Sequence, residues 1–332
     1  MSRPWPAGAV TGVGSLPGTD PGEAARLVFG ELPDLPHLPE LPARGAGADT
    51  IGRAAALLVD LPVELVPSGW RLTAHPGRDL RRARDFLARD LDALEAAAAD
   101  YTGPLKVQVA GPWTLAANLE LPNGHKVVSD LGAARDLAES LAEGVTTHLA
   151  DLAARVPGAA PVLQLDEPSL PGVLAGRVAT PSGYGTIRAV EATVAEPALT
   201  GVLAVAPAGG RVVHCCAGDA PIALLRGTGA DALALDAARL DHDQYDPLGE
   251  AMDAGASLWL GVLPSTDAPV SLDTARAPIR RLWAELGFGP RELPERLVAT
   301  PACGLAGATP AYARRVLSLL RDVGQWLLDE QD

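Results

Sequence analysis

Cysteine is nearly absent from this chain, with three in 332 residues. So few, and an odd number, exclude a disulfide scaffold, and the adjacent Cys215 and Cys216 are poorly placed to bridge each other. The chain reads as reduced and cytoplasmic. Aromatic residues are scarce too, at 4%, so a core must come from Leu, Val and Ala, which a hydrophobic content of 48% supplies. No uninterrupted apolar run approaches about 18 residues, so no membrane span is expected. The opening MSRPWPAGAVTGVGSLPG lacks the apolar centre of a signal peptide. Basic residues are outnumbered, 27 Lys and Arg against 41 Asp and Glu, for a net charge of −14. That balance argues against nucleic acid as the main partner, because phosphate binding needs a basic surface.

What the chain does have is alternation. Eight short apolar runs read as strands: 9–13, 61–66, 105–110, 161–166, 211–215, 231–236, 257–262 and 296–300. Helical patterns lie between them, the longest at 78–99, 131–155 and 310–328. One further helix is expected at 187–195, with Pro197 just beyond its end. Alternating strands and helices imply a parallel sheet, and eight such units predict an α/β fold of the closed (β/α)8 TIM barrel type, with an open doubly wound sheet as the alternative. One domain covers 1–332. The Leu-Pro repeats at about 32–49 block helix and read as an insertion, since too little chain precedes them to form a domain.

A barrel gathers its chemistry at the carboxyl ends of its strands. Ser15 follows the first strand, GPWT the third, Asp166 and Glu167 end the fourth, His214 and Cys216 the fifth, Asp236 the sixth, and Cys303 follows the eighth. Side chains alternate along a strand, so His214 and Cys216 share one side while Cys215 points to the other. Zinc takes four ligands from thiolate, imidazole and carboxylate. His214, Cys216, Cys303 and Asp236 make such a set, with one exchangeable oxygen position suited to a thiol substrate. Taken alone, the HCC run equally reads as buried packing. Every cysteine of a cysteine-poor chain falling at a strand end favours the site. GVGSLPG has the wrong spacing for a dinucleotide loop. GPWT also reads as the start of a helix, with Pro112 in its first turn.

Together GVGSLPG, VAGPWTL, LQLDEPSL, VVHCCAG, DALALD and TPACGLAG, in that order, resemble the catalytic barrel of cobalamin-independent methionine synthase. The resemblance implies a zinc site at His214, Cys216, Cys303 and the acid at position 236, where the family usually has glutamate. It implies homocysteine contacts at Gly14, Ser15, Trp113 and Asp166, with Asp166 meeting the amine and counted as catalytic. A second family acid after the second strand has no clear match near Glu64 or Ser68. The family's histidine after the seventh strand is replaced in the Ser265–Thr266–Asp267 region. The chain is too short for the family's second, amino-terminal barrel, so the methyl donor is either methyltetrahydrofolate or a methylcorrinoid. Two other readings stand beside this one: a corrinoid-dependent methyltransferase or uroporphyrinogen-decarboxylase-like barrel, and a zinc-bearing barrel that binds without catalysing.

Overall fold

Six of the apolar runs assemble into one sheet. In the computed structural model, which describes residues 3–329, β1 (Val63–Val66) and β2 (Gly69–Leu72) form a two-stranded antiparallel hairpin. The strands β3 (Gly103–Ala110), β4 (Ala159–Asp166), β5 (Arg211–Cys215), β6 (Ala232–Asp236), β7 (Ser257–Leu263) and β8 (Leu297–Pro301) form a parallel sheet in chain order. Helices cross between most of these strands, the longest being Leu131–Arg155 between β3 and β4.

Three expectations change here. The run at 61–66 is no member of the parallel sheet, because Val63 to Val66 pair with Leu72 to Gly69 across a tight turn. Segment 36–40, inside the Leu-Pro stretch expected as an insertion, instead lies against the sheet. His37 bridges Lys106 of β3 in parallel, and Leu38 N–H donates to Lys106 O at 2.9 Å. On its other side Glu40 N–H donates to Gly14 O at 3.2 Å, and Leu16 N–H to Glu40 O at 2.9 Å. Pro39, which has no donor, stands where the chain's hydrogen bonds change sides. Residues 9–16 in turn meet the far edge of the sheet, where Val10 bridges Ala299 of β8. The helix expected at 187–195 runs instead over Ala192–Leu203, with Pro197 inside it rather than beyond its end.

Strand alternation sorts the core into two parts. Leu163, Leu165, Val213 and Cys215 belong to the large cluster that packs strands against helices. Their neighbours Val162 and Val212 belong to a separate cluster with Trp5, Leu35, Trp259 and Val298. Trp5 meets Trp259 edge to face, with ring centroids 5.1 Å apart, which favours the quadrupoles of both rings. Along the same faces the lining turns polar: Lys106 stands level with Val162, and the paired Gln108 and Gln164 lie two residues further, all three buried. Two residues beyond Gln164 stands Asp166, level with His214 of β5. An apolar floor, a polar middle and a reactive top thus follow from a period of two.

Candidate active site

The register of β4 and β5 sets Asp166 beside His214. Asp166 Oδ1 lies 2.7 Å from His214 Nδ1 and also accepts from Gln164 Nε2 at 2.7 Å. A carboxylate only accepts, so Nδ1 carries a hydrogen and, in the neutral ring, Nε2 keeps its lone pair. That Nε2 is buried and has no hydrogen-bond partner. Burial opposes a charge on this ring, but the hydrogen bond and charge of Asp166, with Cys303 nearby, outweigh it and move His214 upward from its ordinary value.

The two rim cysteines meet. Cys216 Sγ and Cys303 Sγ are 3.5 Å apart, although 87 residues separate them in the chain. Their S–H···S hydrogen bond holds Cys303 toward thiolate, helped by His214 and the Gly304 N–H, and raises Cys216 far above the usual thiol range. Cys215 is fully buried in the helix-facing core, and burial pushes its thiol up to about 12. Asp236 is engaged locally: its carboxylate accepts from Ala238 N–H at 2.9 Å and stands 3.4 Å from Arg239. Burial raises it, against the pull of both those partners and of His214. Among the described residues, no three His, Cys, Asp or Glu side chains converge as a ready-made metal cage. The structure holds a sulfur pair, one orphaned nitrogen and an acid with other partners.

The remaining expected residues divide. Ser15 is half-buried on this rim, its carbonyl accepting from Leu305 N–H at 2.8 Å, two residues past Cys303. Gly14 packs its backbone against the Gln108 side chain. Trp113 is turned elsewhere: its indole is 3% exposed and donates to Ala195 O at 2.9 Å, in the helix Ala192–Leu203. The reason lies one residue past Asp166. Glu167 accepts from Trp113 N–H (2.9 Å), Thr114 N–H (2.8 Å) and Thr114 Oγ1 (2.8 Å), capping the helix Pro112–Asn118. Gly111 is needed there because any Cβ would overlap the Glu167 carboxylate. GPWT and DEP thus pair with each other.

Two buried residues escaped the sequence reading. Glu40, 6% exposed, ends segment 36–40 directly beside Ser15, its bridge partner. It accepts from Gln108 Nε2 at 3.1 Å and lies 3.6 Å from Arg53. Burial raises its carboxyl, with Arg53 opposing and Asp166 adding to the rise. Lys106 is fully buried below Asp166, and burial brings its amine down to about 7. No alternation advertises Glu40, because the buried Leu32, Leu35, Leu38 and Leu41 recur every three residues, the spacing of an extended polyproline-like chain.

At the rim opens a cavity of about 670 Å³, lined among others by Asp236, Arg239, Ser265, Thr266, Arg281 and Ala302, the chain neighbour of Cys303. Asp267, beside it, is occupied as a cap, accepting from Thr309 N–H and Oγ1 at 2.7 and 2.6 Å.

A parallel α/β sheet that brings thiols, an imidazole and carboxylates together at its carboxyl rim defines an enzyme-like site. The chain belongs to the cobalamin-independent synthase family, as its catalytic domain: that family's model matches residues 8–325. Among solved structures it is similar to a B12-independent methionine synthase from Shewanella sp. W3-18-1 in complex with selenomethionine, at 13% identity and a TM-score of 0.65 over 98% of each chain. It is also similar to a putative vitamin-B12 independent methionine synthase from Listeria monocytogenes, at 18% identity and a TM-score of 0.57 over 99% of each chain. At these identities the likeness shows a shared fold. No curated protein matches the chain. Among the described residues no helix is long and apolar enough to cross a membrane.

Proposed function

We propose that this chain transfers a methyl group to the sulfur of homocysteine, forming methionine, at a zinc site on the rim of a single (β/α)8 barrel. The observation that carries the reading is the meeting of Cys216 and Cys303 at 3.5 Å above a buried His214 whose Nε2 has no partner. Family membership supports the reaction class. The bridges Val10–Ala299, Ser15–Glu40 and His37–Lys106 support ring closure, with 9–16 and 36–40 as the first two staves.

The donor set fits zinc: two sulfurs 3.5 Å apart, and one imidazole nitrogen without a partner, its ring held from behind at Nδ1. His214 Nε2, Cys216 and Cys303 would hold the ion, and Asp236 would supply an oxygen after leaving Arg239. Zinc bound there supplies Lewis acidity, which lowers the pKa of a thiol so that it reacts as thiolate at neutral pH. The protein's own groups bind and orient. The hydroxyl of Ser15 and the backbone at Gly14 receive the substrate carboxylate. Glu40 and Asp166 receive its ammonium, and Glu40 takes the place of the second family acid sought near Glu64. The ammonium replaces the solvent that Glu40 lacks and favours its charged form. The thiol loses a proton, its sulfur takes the methyl group, and the donor leaves with the bonding electron pair. The methyl donor, methyltetrahydrofolate or a methylcorrinoid, enters by the cavity at Arg239 and Arg281. Holding both partners in line is worth several kcal/mol.

The test is to purify the protein without added metal, load zinc and mix it with homocysteine. Proton release on mixing, followed by methionine formation with one of the two donors, is the expected result. A protein that takes up no zinc, or releases no proton with homocysteine, overturns the reading.

A further inference from the structure

Below the rim a chain of hydrogen bonds runs through the polar middle of the sheet. Lys106 Nζ reaches Val13 O at 2.7 Å, Gln164 Oε1 at 2.8 Å and Gln108 Oε1 at 3.3 Å. Whether ammonium or neutral amine, Lys106 has hydrogens for its two nearest oxygens, Val13 O and Gln164 Oε1, so the oxygen of the Gln164 amide faces it. The amide nitrogen of Gln164 then faces two acceptors, Val13 O at 3.0 Å and Asp166 Oδ1 at 2.7 Å. The amide is therefore locked in one orientation, because flipping it would set acceptor against acceptor at Asp166 and Val13. Asp166 Oδ1, held from below, faces His214 Nδ1.

We propose that Gln164, locked by Lys106, is the positioning residue that fixes the tautomer of His214 and aims its Nε2 at the rim. Gln164 is 1% exposed and Lys106 fully buried, and neither reaches the cavity or the sulfur pair. They act through Asp166. Without the Gln164 N–H, the Asp166 carboxylate loses its lower anchor and turns toward other donors. The imidazole then has no fixed partner at Nδ1, and both neutral tautomers become populated. The tautomer with hydrogen on Nε2 cannot bind a metal there. The link from tautomer to metal rests on the zinc reading above; the link from Gln164 to tautomer does not.

The test uses Gln164→Met, close in length and shape but without hydrogen bonds, in the whole chain. Imidazole 15N spectra of the metal-free protein are recorded at alkaline pH, where an ordinary histidine is neutral. The wild type is expected to show His214 with its hydrogen on Nδ1 alone, and the variant a mixture. Zinc affinity, read by competition with a coloured chelator, is expected to fall about tenfold, as for other groups that orient a metal-binding histidine. Lys106→Met is expected to shift both readouts the same way. A merely structural role lowers the unfolding temperature and leaves the tautomer alone. Wild-type tautomer in Gln164→Met therefore overturns the proposal. Should that variant not fold, Gln164→Glu removes the same N–H at nearly the same volume and carries the same two outcomes. If wild-type protein binds no zinc, the zinc reading fails, and the 15N spectra still decide the role of Gln164.

Discussion

Ser15 and Gly304, from the first and last parts of the sheet, touch so closely that a Cβ on Gly304 would overlap the Ser15 hydroxyl. This contact ties the expected carboxylate site to the loop that carries Cys303. Gly304→Ala must push one of the two away. The expected cost is about 1–3 kcal/mol of stability, as for overpacking in general. Homocysteine should bind more weakly in the variant. Urea unfolding and homocysteine titration measure the two effects, and a variant unchanged in both contradicts the contact.

The three cysteines should separate cleanly. Cys216→Ser and Cys303→Ser are expected to lose most zinc affinity while keeping the fold, since both sulfurs are half-buried at the rim. Cys215→Ser is expected to keep zinc and lose about 1–3 kcal/mol, because it buries a hydroxyl in the apolar core. Metal analysis beside thermal unfolding distinguishes these outcomes, and zinc loss in Cys215→Ser would contradict the parity of β5.

Glu40 and Glu64 give a second contrast. Glu40→Gln should raise the KM for homocysteine roughly tenfold or more, since a hydrogen bond to a charged group is worth about 1.5–3 kcal/mol. Glu64→Gln, on the antiparallel hairpin, should leave KM unchanged. Steady-state kinetics at saturating donor reads both.

Glu167 accepts three hydrogen bonds at a buried helix start, and an amide there turns at least one donor against another. Glu167→Gln is expected to cost about 1–3 kcal/mol. The loss should be mostly shared with Thr114→Val, so that the double variant costs less than the two single losses added together. Equilibrium unfolding of the three variants decides.

Lys106 predicts a pH dependence. In the unfolded chain its amine holds a proton up to about 10.5, whereas burial brings the folded value down to about 7. Between those values the unfolded state binds more protons, so stability rises with pH. The contribution is fully present above about 10.5 and lost as pH falls through about 7. Relative to Lys106→Met, the wild type should therefore gain stability from neutral to alkaline pH, by at most about 1.4 kcal/mol per unit. Denaturant unfolding across that range shows the slope, and parallel curves for the two proteins would contradict it.

Most of the sheet was legible because β3 to β8 are short apolar runs bounded by turns and helices, and such runs announce themselves. The placement of the rim residues was legible for the same reason: Asp166, His214, Cys216 and Asp236 stand at or just past strand ends that apolarity had already marked. Segment 36–40 was not, because Pro36 and Pro39 break the alternation and its leucines recur in threes. Losing that segment concealed Glu40 and displaced the second strand onto a hairpin. Pro197 misled in the opposite sense, since it reads as a helix stop but lies inside Ala192–Leu203. Trp113 was placed by its motif rather than by its direction, and only the Glu167 cap explains why its indole turns to Ala195. The pairing of Gln164 with Lys106 depends on β3 and β4 lying side by side, which no single stretch of sequence records.

The 87 residues between Cys216 and Cys303 also set a sequence in time. A ribosome delivers His214 and Cys216 well before Cys303, and β8, whose Ala299 bridges Val10, emerges in that same interval. A nascent chain paused between them offers a metal one imidazole and unpaired thiols, a weak grip by comparison with the paired sulfurs. Strong capture of the proposed metal would therefore wait for the stretch that also brings β8 against Val10. If the proposed zinc binds, loading with metal becomes a sign that both sulfurs are in place, and a chain stalled short of Cys303 should emerge empty.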